Sequence, residues 1–250
     1  MIVASPLNSL PMYDWPEVRD ATNEFWTGLA RHLGTSSELQ RGGAFSDSWC
    51  DPHLFFSQTC GYPFTHEFNG VLNYVATPTY GAPGCGPGSY SSFIFAREKV
   101  ELMALRGARP AINSMDSMSG MLALRLAFAP GGDWKTFFAP PLMSGAHVAS
   151  LAAVQKGEAD VCATDAVCVA MARRYRPDLL EGLVEIARSP QVPALPYVTR
   201  AGDVGKLRAG LQAAFADPSL QAVREKLFLK DVSVLPDGAY DVIPALEATL

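Results

Sequence analysis

The chain has 250 residues, 48% of them hydrophobic and 18% charged; at roughly 150 residues per domain this means one large domain or two lobes of about 100 to 130 residues, and it excludes both a disordered chain and a single small module. Lys and Arg number 20 against 25 Asp and Glu, a net charge of −5, and the basic residues are scattered, so no footprint for a nucleic-acid backbone appears. Five cysteines (Cys50, Cys60, Cys85, Cys162, Cys168) without paired spacing argue against a disulfide framework and a zinc site, leaving one bridge such as Cys50 with Cys60 open; no metal and no cofactor are expected.

The segment 1–8 has no Lys or Arg and its apolar run is cut by Pro6 and Asn8, so it does not read as a signal peptide. No window reaches the roughly 18 uncharged apolar residues of a membrane span; the stretch 122–128 is interrupted by Arg125. The first helix opens with Asp14 as N-cap, Pro16 in the first turn and Glu17 completing a capping box. It places Val18, Phe25, Trp26, Leu29 and Leu33 on one face and stops at Gly34. Short apolar runs at 54–58, 71–77, 91–96, 109–113, 160–164 and 196–200 are of strand length and bounded by turn residues. Helical patterns cover 121–128, 148–156, 166–175, 204–216 and 219–229. The alternation makes this an α/β protein. The densest clusters of Pro and Gly, at 78–89 and 189–196, read as two crossings between lobes.

Nucleotide P-loop, zinc-protease and nucleophile-elbow motifs are absent. Four strand ends carry chemistry instead. Ser117-Met118-Ser119-Gly120 follows a strand and opens a helix, where backbone N–H groups and hydroxyls converge and the helix dipole favours an anion; Ser117 as a plain N-cap is the simpler alternative. Ser144-Gly145-Ala146-His147 opens a second helix, and a His there invites an anionic counterpart or serves as a surface cap. Asp165 closes a strand and caps the next helix. Gln58, Thr59 and Cys60 stand at the carboxyl end of an earlier strand, the edge where open α/β sheets hold ligands. Cys60 with His147 as base is a nucleophile pairing for acyl transfer; a small buried thiol is the alternative.

In this order the features resemble the PhnD-like family of phosphate, phosphite and phosphonate substrate-binding components of bacterial ABC transporters. The segments that carry the resemblance include Leu10-Pro11-Met12-Tyr13-Asp14, Gln58-Thr59-Cys60-Gly61-Tyr62-Pro63, Ser117-Met118-Ser119-Gly120, Ser144-Gly145-Ala146-His147 and Arg188-Ser189-Pro190-Gln191-Val192-Pro193. The resemblance implies a two-lobed type II periplasmic-binding-protein fold with the ligand in a cleft between lobes. Lobe 1 would be residues 1–96 and 190–250, and lobe 2 residues 97–189. It implies a non-enzymatic, monomeric receptor that holds a small oxyanion and hands it to an ABC permease. Ser117, Met118, Ser119 and His147 would bind the anion, with Tyr13, Gln58, Thr59 and Cys60 from the facing lobe and Asp165 toward the ligand's organic substituent. Family members are mostly periplasmic; the missing signal leaves either a removed leader or a cytoplasmic protein. Gln58 departs from the family, which often has an aromatic residue there.

Two other classes fit the same sequence: a receptor for a heterocycle such as a thiamine-precursor pyrimidine, gripped by Tyr13, Trp49, Tyr62, Tyr80 and Tyr90, and a transferase or hydrolase built on Cys60 and His147. A receptor whose contacts divide between lobes closes on its ligand, because only the closed state supplies the second set of hydrogen bonds. Small-angle scattering is expected to show a smaller radius of gyration at saturating ligand; identical curves for free and calorimetrically liganded protein would mean a rigid pocket.

Overall fold

The computed structural model describes residues 6–36 and 38–250; the stretch Met1 to Ser5, read above for a leader, lies outside them. In chain order the elements are β1 (Leu7–Asn8), α1 (Arg19–Leu33), α2 (Phe45–Cys50), β2 (Leu54–Gln58), α3 (Gly61–Thr65) and β3 (Asn73–Tyr80). Then follow β4 (Cys85–Gly86), β5 (Ser89–Tyr90), β6 (Ser92–Ala96), β7 (Pro110–Ile112), a helical segment that runs from Met118 into α4 (Ala123–Phe128), and α5 (Trp134–Phe137). Next come β8 (Leu142–Met143), α6 (His147–Gln155), β9 (Val161–Asp165), α7 (Ala166–Tyr175), β10 (Val184–Arg188) and β11 (Val192–Pro193). The chain ends with β12 (Tyr197–Thr199), α8 (Val204–Ala216), α9 (Gln221–Lys226), β13 (Leu229–Ser233) and α10 (Val242–Glu247).

The chain divides into two units, residues 1–81 with 193–239, and 82–192 with 240–250. The division differs from the expected one in two places. The strand at 92–96 belongs to the second unit, because β6 pairs with β9 and β10 in that unit's sheet. The last eleven residues also belong there: Ile243 is buried, and Glu247 accepts a hydrogen bond from Arg125 of α4 at 2.9 Å. The breaker segments 78–89 and 189–196 do contain the first two crossing points; a third, after Ala239, carried no Pro/Gly signal of comparable density.

The first unit is built on a five-stranded sheet in the order β1-β2-β12-β3-β13. Its core includes Trp26 of α1 stacked on Phe56 of β2 at 5.7 Å, with Phe56 against Tyr197 of β12 at 5.2 Å. A second cluster joins Trp49, Leu54, Phe68, Leu72 and Val198. Helix α1 buries Val18, Phe25, Trp26 and Leu29 as its spacing predicts and ends at Gly34, whose φ of 67° only Gly adopts without strain. Asp14 is not its N-cap. Trp15, extended because Pro16 follows it, begins a short 3₁₀ turn instead, and the Asp14 carboxylate accepts from Arg41 at 2.6 and 3.3 Å.

The second unit has a sheet in the order β10-β6-β9-β7-β8. Phe93, Phe95, Leu151, Val154, Cys162 and Val169 form its core between sheet and helices. Strands β8, β7 and β9 are adjacent and parallel, with Ile112 opposite Met143 and Ala111 opposite Cys162, so their carboxyl ends emerge together on one edge. All five cysteines are free thiols, and no Cys50–Cys60 bridge forms. Burial pushes the Cys162 thiol up to about 12. Among the described residues no cluster of His, Cys, Asp and Glu is placed to hold a metal, and no helix is long and apolar enough to cross a membrane.

The helix pattern at 219–229 is cut short. Phe228 takes a left-handed φ of 57°, and Leu229 opens β13 opposite Tyr80 of β3, so strand pairing overrides the apolar periodicity. Helices α1 and α8 meet at Gly210, where an added Cβ would lie 2.5 Å from Leu33 Cδ2 and 3.0 Å from the His32 carbonyl oxygen. Gly210→Ala is therefore expected to destabilise the protein by about 1 to 3 kcal/mol in urea unfolding, although Ala is the better helix former. A stabilised variant would show that the two helices separate freely there.

Candidate functional site

The shared edge of β7, β8 and β9 gathers the polar residues singled out in the second half of the sequence. Beyond β7, Asn113 leads into the turn before Ser117, whose hydroxyl accepts from Gly120 N–H at 2.9 Å and caps the helical segment. That segment opens as a π-helical turn with Leu122 N–H donating to the Ser117 carbonyl at 3.0 Å, then continues through α4 to Phe128. The Met118 and Ser119 amides thus stand at a helix start, where no intrahelical acceptor exists for them. The Met118 side chain is buried, so only its backbone amide stands at the helix start.

Gly120 is required by close packing. A Cβ there would lie 1.8 Å from Asn113 Oδ1 and 3.2 Å from Ser117 Oγ. Asn113 Oδ1 is itself buried and has no hydrogen-bond partner. In the sequence Gly120 shows only as the small residue that closes Ser-x-Ser-Gly after the strand end at Asn113; that it must lack a Cβ against the Asn113 amide is visible only in the structure.

At the end of β8, Ser144 N–H donates to the Ile112 carbonyl at 2.9 Å, and its hydroxyl lies 2.6 Å from Ser150 Oγ. Gly145 turns the chain with φ 81°, and Ala146 is extended, so His147 is the first residue of α6. Its imidazole Nε2 lies 2.8 Å from Ser119 Oγ and 3.5 Å from Asp165 Oδ2. Asp165, the last residue of β9, caps α7: its Oδ1 accepts from the Val167 and Cys168 amides, both at 2.9 Å. The structure thus brings Ser117, Met118, Ser119, His147 and Asp165 together in the second unit.

His147 Nδ1 is buried and makes no hydrogen bond of acceptable geometry, although the Ala163 carbonyl is close enough to favour a proton on the ring. Burial is the largest influence and lowers the imidazole below its usual range; the Asp165 charge and the Ala163 carbonyl oppose it. The helix start at His147 acts in the same direction as burial. The free site therefore holds a neutral imidazole. None of Ser117, Met118, Ser119, His147 and Asp165 is a Lys or Arg, so the polar groups gathered here are amides, hydroxyls, one imidazole and one carboxylate.

The residues expected from the first unit form their own group. Gln58 Nε2 donates to Tyr80 OH and to the Leu195 carbonyl, both at 3.0 Å, so both amide protons are engaged. Tyr80 meets the ring of Tyr13 edge-on at 5.5 Å, and Tyr13 is held at a left-handed φ of 65°. Thr59 is fully buried, its amide donating to the Pro196 carbonyl and its hydroxyl to the Cys60 carbonyl. Cys60 is the extended residue ahead of α3, and its carbonyl accepts from Phe64 N–H. Tyr80, which joins Tyr13 to Gln58, was legible only as one of several tyrosines.

The family model for ABC-transporter phosphonate periplasmic substrate-binding proteins matches residues 51–233. The chain belongs to this family. Among solved structures it is similar to PhnD1 of Prochlorococcus marinus (MIT 9301) in complex with methylphosphonate, with 15% identity over 98% of this chain and 97% of that one and a TM-score of 0.79. It is also similar to a binding-protein component of an ABC phosphonate transporter from Pseudomonas aeruginosa, with 17% identity, 98% and 86% coverage and a TM-score of 0.80. XAC2383 of Xanthomonas citri bound to ATP gives 20% identity, 98% and 97% coverage and a TM-score of 0.73. No curated protein sequence matches. The neighbours establish the two-lobed type II fold of periplasmic binding proteins that the sequence led us to expect.

The lowered His147 gives this phosphonate-binding family member a definite acid response. In the folded protein the ring resists protonation, whereas in the unfolded chain it titrates near its usual 6.5. Below that pH the unfolded state binds more protons, so stability falls as the pH falls. Urea midpoints at two pH values on either side should show that His147→Gln loses less stability on acidification than the native chain. Equal losses would mean that the folded ring titrates normally.

Proposed function

We propose that this chain is the solute receptor of an ABC-type uptake system for a small phosphorus oxyanion of the phosphate, phosphite or phosphonate class, which it delivers to a permease in the compartment where its family works. The observation that carries the reading is the Ser119 Oγ to His147 Nε2 contact of 2.8 Å. It joins two helix starts, so amides, a hydroxyl and an imidazole converge at one edge of the sheet. The family match and the phosphonate-transport neighbours support the same class of ligand.

The arrangement gives no support to catalysis. In a Ser-His-Asp relay the hydroxyl and the carboxylate sit on opposite ring nitrogens, so that one nitrogen takes the proton while the other is held. Here Ser119 and Asp165 both lie on Nε2, and Nδ1 has no carboxylate on it. The family is one of substrate-binding proteins. A ring-gripping receptor also has less behind it, because Trp49, Tyr80 and Tyr90 are buried in cores, leaving Tyr13 and Tyr62 half-buried.

The test is calorimetric titration with phosphate, phosphite, methylphosphonate and sulfate. At least one phosphorus oxyanion is expected to bind the native chain, and Ser119→Asp, which fixes a negative charge at the helix start, should abolish binding, since like charges in a partly desolvated site repel by several kcal/mol. Cys60→Ser should leave a folded protein whose affinity is within about threefold of native, under 1 kcal/mol. Undiminished binding in Ser119→Asp would place the ligand elsewhere.

A further inference from the structure

We propose that the receptor binds its ligand together with one proton, taken up from solvent by His147 Nε2, so that a doubly charged phosphonate is held as an imidazolium–dianion pair. The inference rests on the oxyanion reading and adds to it the charge state of the complex. Its basis is charge balance within a buried cluster.

The residues around His147 supply one carboxylate and no fixed cation. Asp165 Oδ2 stands 3.5 Å from His147 Nε2, while Asp165 Oδ1 is taken up by two α7 amides, so the carboxylate is anchored and cannot swing away from an incoming anion. A dianion entering beside Ser119 would put like charges close together in a site with little water, at an energetic cost that two hydroxyls and a few amides do not cancel. A proton on Nε2 reverses this. It gives a donor that lies between the Ser119 hydroxyl and the Asp165 carboxylate and faces both, and it frees the Ser119 hydroxyl, which in the neutral site can donate to Nε2, to turn to the ligand.

The other groups around α6 do not substitute. Helix α6 packs against β9, β7, β6 and the turn at Pro177–Leu180. Strand β9 offers Cys162 and Asp165, while β7 and β6 contain no titratable side chain. The turn offers Asp178, whose carbonyl binds Gln155 at the far end of α6. Arg125, on the segment that carries Ser119, is paired with Glu247. The thiols near Asp165 are pushed up by burial first and by that carboxylate second, Cys85 to about 12 and Cys168 well above its usual value, so neither supplies nor removes charge at neutral pH. His147 is the one group of the cluster able to change charge in the physiological range.

The experiment uses the full chain and two probes, methylphosphonate and difluoromethylphosphonate, the second being acidic enough to be wholly dianionic near pH 7.5, so that any proton taken up with it must land on the protein. Titration in two buffers of different ionisation enthalpy counts the protons, and ¹⁵N spectra of the imidazoles report which ring receives one. Uptake close to one proton per difluoromethylphosphonate is expected, with the His147 ring neutral in the free protein and protonated in the complex, and with Kd rising about tenfold per pH unit above neutrality. Binding of both probes without proton uptake, or with a ring that stays neutral, overturns the proposal and leaves the receptor reading intact. Tight binding of methylphosphonate with difluoromethylphosphonate at least a hundredfold weaker overturns it too, since the proton then travels on the ligand. Failure of the native chain to bind any phosphorus oxyanion overturns the receptor reading and this inference with it. In His147→Gln the proton count should fall to zero; the spectra of the native chain decide the question even where that variant does not fold.

Discussion

The second unit is organised around the meeting of Ser119 Oγ and His147 Nε2 at 2.8 Å, at the edge where the parallel strands β7, β8 and β9 end. Residues 113 and 144 follow β7 and β8, residue 165 ends β9, and each leads into a helix start or the turn before one. Right-handed crossovers between parallel strands return every connection to the same edge, so helix N-termini accumulate there without any special device. The chemistry of the site is a by-product of that topology until particular side chains are added. Ser119 and His147 are the two that turn a set of dipoles into a specific cluster.

Holding those side chains 2.8 Å apart puts demands on residues that never touch a ligand. Gly120 must lack a Cβ for Asn113 to pack behind the helix start, and Gly145 must turn at positive φ for α6 to begin at His147 rather than a residue later. The Arg125 to Glu247 pair fastens the far part of the same helical segment to the last helix of the chain, which explains why residues 240–250 fold with the second unit although the chain has already returned to the first. The first unit shows the same economy: Gln58 spends both amide protons fixing Tyr80 and the Leu195 carbonyl, and Tyr80 in turn meets the ring of Tyr13.

Much of this was legible in the sequence, and the reasons for what was not are physical. Central elements were read at or near their true bounds, among them β2, β9, α7 and α8, since buried strands are continuous apolar runs and long helices show their period. Edge strands β10 and β13 were missed: Val184–Arg188 and Leu229–Ser233 carry Glu185, Arg188, Lys230 and Asp231, the charges that protect an exposed edge and also erase the strand pattern. The lobe boundary was set too late because a strand such as Ser92–Ala96 states that it is buried, not which sheet buries it. In the second unit the Ser-x-Ser-Gly and Gly-x-His motifs and Asp165 lie together. Asn113, Gly120 and Tyr80 fall within the segments and tyrosines visible in the sequence, but their particular roles were not legible there, because those roles are spatial: each is defined by a neighbour far away in the chain or by the space a side chain must leave empty.

The proposed anion site, drawn from residues that include no Lys or Arg, has a consequence for selectivity. Fixed cations attract any anion at long range and are satisfied by any arrangement of its charge, whereas amides and hydroxyls at a helix start reward only oxygens that arrive within hydrogen-bond distance and at the right angle. The cluster here goes further by keeping a carboxylate, Asp165, 3.5 Å from the imidazole. A carboxylate beside an anion site is costly for every ligand, but least so for one that brings or recruits a proton to lie between them. In the proposed complex the repulsion from Asp165 is relieved by the proton on His147, and the uncharged donors around it discriminate by the shape of the ligand.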